Sequence, residues 1–233
     1  VTNEGSVYVF DLTTDTFDYE LPHGGALHNT TLAGFDHQGR LLGLRLAAGG
    51  AMEVLTIDLG TGAVSTVGQF GGLHGWYPEA VLSPDRTALY LVGSNSDDVT
   101  NEGSVYVFDL TTDTLDYELP HGGALHNTTL AGLDHQGRLL GLRLSAGGVM
   151  DVLTIDLGTG VVSTVGQFGG LYGWYPEASL SPDRKALYLV GSNSDDVTNE
   201  GSVYVFDLTT DTFDYELPHG GALHNATLAG FGE

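Results

Sequence analysis

Val7-Tyr-Val-Phe-Asp-Leu12 is the stretch whose reading decides the fold, because variants of it recur at Val54-Leu-Thr-Ile-Asp-Leu59, Val105 to Leu110, Val152 to Leu157 and Val203 to Leu208. The offsets run 47, 51, 47 and 51 and sum in pairs to 98. Each run is rich in β-branched and aromatic residues and too short for a helix, so each is expected to be a strand. A turn follows, either Thr13-Thr-Asp-Thr16 or Gly60-Thr-Gly62, and then a second short run such as Thr16-Phe-Asp-Tyr-Glu-Leu21. Together they predict hairpins.

A further hairpin precedes each of these. One kind reads Thr31-Leu-Ala-Gly-Phe35, turn Asp36-His-Gln-Gly39, then Arg40-Leu-Leu-Gly-Leu-Arg-Leu46. The other reads Glu79-Ala-Val-Leu82, turn Ser83-Pro-Asp-Arg86, then Ala88-Leu-Tyr-Leu-Val92. Four strands in about 49 residues, with no apolar period of 3.6 between them, predict one antiparallel sheet per half of a 98-residue unit.

That unit is nearly exact. Residues 1–98 recur as 99–196, and 197–233 open a third copy. The first two copies differ at nine positions: Phe17/Leu115, Phe35/Leu133, Ala47/Ser145, Ala51/Val149, Glu53/Asp151, Ala63/Val161, His74/Tyr172, Val81/Ser179 and Thr87/Lys185. Any site inside the unit must therefore exist at least twice.

Four-stranded modules repeated at this spacing predict an all-β fold, a β-propeller of about five blades forming one domain over 1–233. Lettering strands A to D outward from the channel, the chain opens with C and D of one blade at about 5–22. Blades at roughly 26–70, 74–120, 124–168 and 172–218 follow, and a single A strand is expected at about 226–231. The tally is one B strand short of five blades. Either the ring closes on a defective blade or the chain, which opens at Val1 inside a repeat, is a slice of a longer array.

The combination of Ser83-Pro-Asp-Arg86, Ala88-Leu-Tyr-Leu-Val92 and Val105-Tyr-Val-Phe-Asp-Leu110 resembles the blades of WD-repeat and YVTN-type propellers, including those of bacterial and archaeal surface proteins. The chain departs from the strict WD pattern, since Asp109 follows Phe108 rather than Trp. The resemblance implies architecture and names no activity, so function has to be argued from sites.

Composition bounds those sites. With 30 acidic residues against 7 basic, the net charge is −23, a field that repels phosphate backbones and anionic membranes, so no nucleic acid partner is expected. No apolar run approaches the roughly 18 residues of a spanning helix, so no membrane insertion is expected. The chain has no cysteine, which removes disulfides, thiolate metal sites and cysteine nucleophiles together.

The most unusual stretches are the D-to-A connections, Pro22-His-Gly-Gly-Ala-Leu-His-Asn29 and Gly71-Gly-Leu-His-Gly-Trp-Tyr-Pro-Glu79 with their copies. In a propeller they converge at the channel mouth. They make His28, Asn29, Trp76, Tyr77 and Glu79 candidate ligand-binding residues, together with His126, Asn127, Trp174, Tyr175 and Glu177. Rings that cover apolar faces beside groups that fix hydroxyls suit glycans or small polar ligands. The structural alternative is that Trp76 and Trp174 plug between blades while the histidines cap loop carbonyls.

The loop Gly93 to Gly103 offers oxygen ligands of the kind calcium takes, at Asp97, Asp98, Asn101 and Glu102, but lacks the order of an EF-hand. A solvated acidic loop is the alternative, and no other cofactor is expected. Asn29-Thr-Thr, Asn127-Thr-Thr and Asn225-Ala-Thr are glycosylation acceptors at equivalent positions. No nucleophile elbow, phosphate loop or zinc-protease motif occurs, and near-identical repeats suit an active site poorly because catalysis assigns different roles to different groups. The expected function is a non-enzymatic, extracellular or cell-surface scaffold or multivalent interaction module that meets other proteins or copies of itself. Lectin-like binding at the channel-mouth loops is the alternative.

Overall fold

The computed structural model describes residues 6–22, 26–28, 30–47, 51–70, 77–94, 104–120, 125, 128–145, 149–169, 175–192, 202–218 and 228. Strands β1 (Ser6–Asp11) and β2 (Thr16–Pro22) form a two-stranded sheet. Four complete antiparallel blades follow in a ring. The first is β3 (Thr30–Phe35), β4 (Leu41–Leu46), β5 (Met52–Ile57) and β6 (Val64–Phe70). The second is β7 (Tyr77–Leu82), β8 (Ala88–Ser94), β9 (Ser104–Asp109) and β10 (Thr114–Pro120). The third is β11 (Thr128–Leu133), β12 (Leu139–Ser145), β13 (Val149–Ile155) and β14 (Val162–Gly169). The fourth is β15 (Tyr175–Leu180), β16 (Ala186–Ser192), β17 (Ser202–Asp207) and β18 (Thr212–Pro218).

Every blade is a meander in sequence order, as the half-unit pattern predicts. Among the described residues the molecule is a β-propeller with four full blades, and the two-stranded hairpin β1–β2 corresponds in sequence to the C and D strands of the second and fourth. The A strand expected at 226–231 lies outside the described residues apart from Leu228.

The decisive segment is apolar on both faces because a blade such as the second is packed between two neighbours. In β9, Tyr106 and Phe108 point into one core with Leu42, Leu44, Met52 and Phe70 of the first blade. Val105 and Val107, on the other face, join Leu130, Leu139 and Leu153 of the third blade. A period of two thus becomes a continuous hydrophobic run, since both faces are buried. Strand β17 repeats this with Tyr204 and Phe206 against Leu140, Leu142 and Met150.

Two glycine pairs shape the seams. Gly68 in β6 and Gly166 in β14 lie so close to the rings of Phe108 and Phe206 that a Cβ there would overlap them. Gly34 and Gly132 sit at φ +102° and +116°, where β3 and β11 shift register, and Leu82 and Leu180 of the next blade fill the space beside them. Only glycine adopts that backbone readily.

Candidate functional site at the two rims

The antiparallel register gathers two kinds of connection on one rim. Thr30 pairs with Arg45, Tyr77 with Ser94, Ser104 with Pro120 and Ser202 with Pro218. The D-to-A connections and the B-to-C loops therefore emerge side by side, where the sequence put its candidate ligand residues.

In the first unit Ala26, Leu27 and His28 form a turn closed by the Thr30 N–H donating to the Leu27 carbonyl at 3.1 Å, and His28 is exposed. Arg45 anchors that turn. Its Nη1 donates to the Ala26 carbonyl at 2.7 Å and its Nε to Glu53 Oε2 at 2.8 Å. The second unit builds the same corner from different parts. Asp151, one methylene shorter than Glu53, accepts from Arg143 Nη2 at 2.9 Å, Ser145 Oγ at 2.5 Å and Gln167 Nε2 at 2.7 Å. Burial would raise the Asp151 carboxyl, yet the hydrogen bonds from Ser145, Arg143 and Gln167 outweigh it and hold it below its ordinary value. The paired changes Ala47/Ser145 and Glu53/Asp151 thus compensate each other.

Tyr77 and Glu79 lie in β7, opposite Ser94 and Val92, and Tyr175 and Glu177 hold the same places in β15 opposite Ser192 and Val190. Asn29, Trp76, His126, Asn127 and Trp174 lie outside the described residues, as do Asp97, Asp98, Asn101, Glu102 and Asn225. Among the described residues no group of three or more His, Asp or Glu side chains converges as a metal site.

Sequence reasoning missed the opposite rim, which carries the ion-pair seams. Arg40 donates through Nε to Asp36 Oδ2 at 2.5 Å and through Nη1 and Nη2 to both carboxylate oxygens of Asp113 at 2.9 and 2.8 Å. It also reaches the Leu110 carbonyl at 3.2 Å, so one guanidinium ties the first blade to the C–D turn of the second. Arg138 does the same with Asp134, Asp211 and the Leu208 carbonyl. Asp113 first and then Asp36 raise the pKa of Arg40, so its charge is locked in place. Next to each seam the N–H groups of His37 and His135 donate to the carbonyls of Arg86 and Arg184, both at 3.1 Å. The clue lay in the scarcity of cations: only seven basic residues serve the chain, and Arg40 stands four residues after Asp36.

Beside the second seam is an open cleft of about 580 Å³ between the A–B and C–D turns of the third blade, bordered by Gln136, Arg138, Asp156, Leu157, Thr159 and Val161. At least four of these six, Gln136, Arg138, Asp156 and Thr159, already make hydrogen bonds. Arg138 is in the seam, and Asp156 accepts from the Thr159 N–H and hydroxyl, both at 2.8 Å.

No protein-family model matches the sequence, and no curated protein matches it. Solved structures do. TolB from Acinetobacter baumannii is similar at a TM-score of 0.62 and 20% identity, with 94% of this chain covering 50% of that one. The hydrazine synthase of Kuenenia stuttgartiensis gives 0.52 and 18%, covering 82% of this chain and 51% of that one. The β-propeller domain of the Trilobed protease from Pyrococcus furiosus, described as having an open velcro topology, gives 0.51 and 11%, covering 91% and 65%. The chain spans about half the length of the first two. At these identities the likeness is one of fold, and it agrees with the strand order and seams in making this chain a β-propeller.

Proposed function

We propose that the chain is a non-enzymatic repeat propeller of the YVTN-like kind, working outside the cell or at its surface as a scaffold that offers the same contacts more than once. The observation that carries this reading is that the polar machinery of one unit is rebuilt in the next for structural ends. Arg40 and Arg138 both bolt neighbouring blades together, and Arg45 and Arg143 both pair with a carboxylate on the next strand near the loop rim. An enzyme needs unlike groups in unlike roles at one place, whereas a scaffold gains from identical places, since a second simultaneous contact multiplies affinity without any new chemistry. The partners are other proteins or further copies of the chain, met at the rim where the D-to-A and B-to-C connections emerge together.

Light scattering on the protein isolated from its source is expected to give particles larger than one chain. A strictly monomeric particle at all concentrations would sink the reading. On intact cells, a membrane-impermeant amine reagent is expected to label Lys185, which is exposed and is the only lysine; protection until lysis would refute the outside location.

A further inference from the structure

The hairpin β1–β2 carries the same residues as β17–β18 and, but for Phe17 in place of Leu115, as β9–β10, yet it lacks what covers them. Tyr8, Phe10 and Leu12 are 67%, 55% and 76% exposed, while their equivalents Tyr106, Phe108, Leu110, Tyr204, Phe206 and Leu208 are 8% or less. The two covered copies show what the face fits. In each, a preceding blade of the β3–β6 type presents a glycine under the phenylalanine ring and an arginine to the aspartate of the C–D turn. Asp15 holds the same left-handed conformation as Asp113 and Asp211, at φ 53° against 56° and 55°. Among the described residues no guanidinium meets it. Leu32 and Phe35 of β3 are likewise exposed, while their equivalents Leu130 and Leu133 are buried beside β7 and β8.

We propose that the face of Tyr8, Phe10, Leu12 and Asp15 is a docking surface for one more copy of the repeat, joined in the same polypeptide. That copy's β3–β6 blade lies over β1–β2, and its β7–β8 pair completes the blade that β1–β2 leave two-stranded and covers Leu32 and Phe35. The proposal rests on the scaffold reading and names one of its partners. Charge complementarity selects the occupant, since Asp15 sits where an Arg40 equivalent reaches in the two existing seams. Pairing of two β1–β2 faces would instead set Asp11, Asp15 and Glu20 against their own copies. A second whole chain fits poorly as well, because its two β3–β6-type faces are already covered by β7–β10 and β15–β18.

The absence of cysteine makes the test direct. A single Leu12→Cys thiol is labelled in the 233-residue chain and in a chain lengthened by a copy of residues 26–98, joined to Val1 as Asp98 is joined to Val99. Leu110→Cys gives the rate of a covered thiol. In the short chain the thiol at position 12 is expected to react as an exposed group at every protein concentration. In the long chain it should slow by about 100-fold or more, toward the rate at position 110. Arg40→Ala with Gly68→Leu, placed in the appended copy alone, should restore most of the fast rate. An unchanged rate in the long chain overturns the proposal, and so does protection that survives that double substitution. Labelling in the short chain that slows with concentration overturns it in favour of self-association. Light scattering decides the scaffold reading independently of this thiol.

Discussion

A buried side chain is worth what surrounds it, and the repeats make the comparison internal. Leu12 and Leu110 are the same residue in the same local sequence, yet one is exposed and the other fully enclosed. Truncating an enclosed leucine removes its transfer free energy and leaves a cavity, about 2–5 kcal/mol in all. Truncating an exposed one removes almost nothing. Leu110→Ala is therefore expected to lower stability in urea by about 2–5 kcal/mol, and Leu12→Ala by under about 0.5 kcal/mol. Equal effects would mean that Leu12 is covered in solution.

At the scale of the element, turns rather than strands hold most of the acid-sensitive chemistry. Asp11 accepts from the Thr13 N–H at 2.7 Å and its hydroxyl at 2.6 Å, chiefly the hydroxyl bond lowering its pKa to about 2. Thr111 and Thr209 lower Asp109 and Asp207 in the same way, and Thr61 and Thr159 lower Asp58 and Asp156. A carboxyl whose folded pKa is depressed contributes stability that is complete above its unfolded pKa and is lost as pH falls through the folded one. The urea midpoint is thus expected to hold or rise from pH 7 toward about 4.5 as net charge declines, then to fall between about pH 4 and 2. A midpoint that is level down to pH 2 would show that these hydrogen bonds do not distinguish the folded carboxylates from the unfolded ones.

These hairpins were legible from local sequence because alternation and turn residues are written within a few positions of one another. The strand order and the boundaries of the four blades follow from that alone. The seams were not legible, since Arg40 and Asp113 are 73 residues apart and only the ring brings them together. The loop rim was legible as a place, because in a four-stranded meander the D-to-A and B-to-C connections leave from the same end of the blade. Its arginine–carboxylate pairs escaped notice because Arg45 and Arg143 occur inside apolar strands, where a charge reads as an interruption until Glu53 and Asp151 are seen across the sheet.

For the whole molecule, the governing quantity is the imbalance between 7 cationic and 30 anionic residues. Attraction is concentrated in contacts such as Arg40 with Asp113, partly buried and at hydrogen-bond distance, which salt screens little. Repulsion is spread over carboxylates lying many ångströms apart across solvent, which salt screens strongly, because the Debye length shrinks from about 30 Å at 0.01 M to about 3 Å at 1 M. Added salt therefore removes more repulsion than attraction. Tm is expected to climb between 0.01 and 1 M KCl, at about 2–4 °C for each kcal/mol of repulsion relieved in a domain of this size. The chloride salt is the right choice, since sulfate strengthens apolar burial by itself and would raise Tm whatever the charges do. A Tm that drops across the KCl series would mean that the arginine seams, and not the acidic surface, dominate the electrostatics of the folded ring.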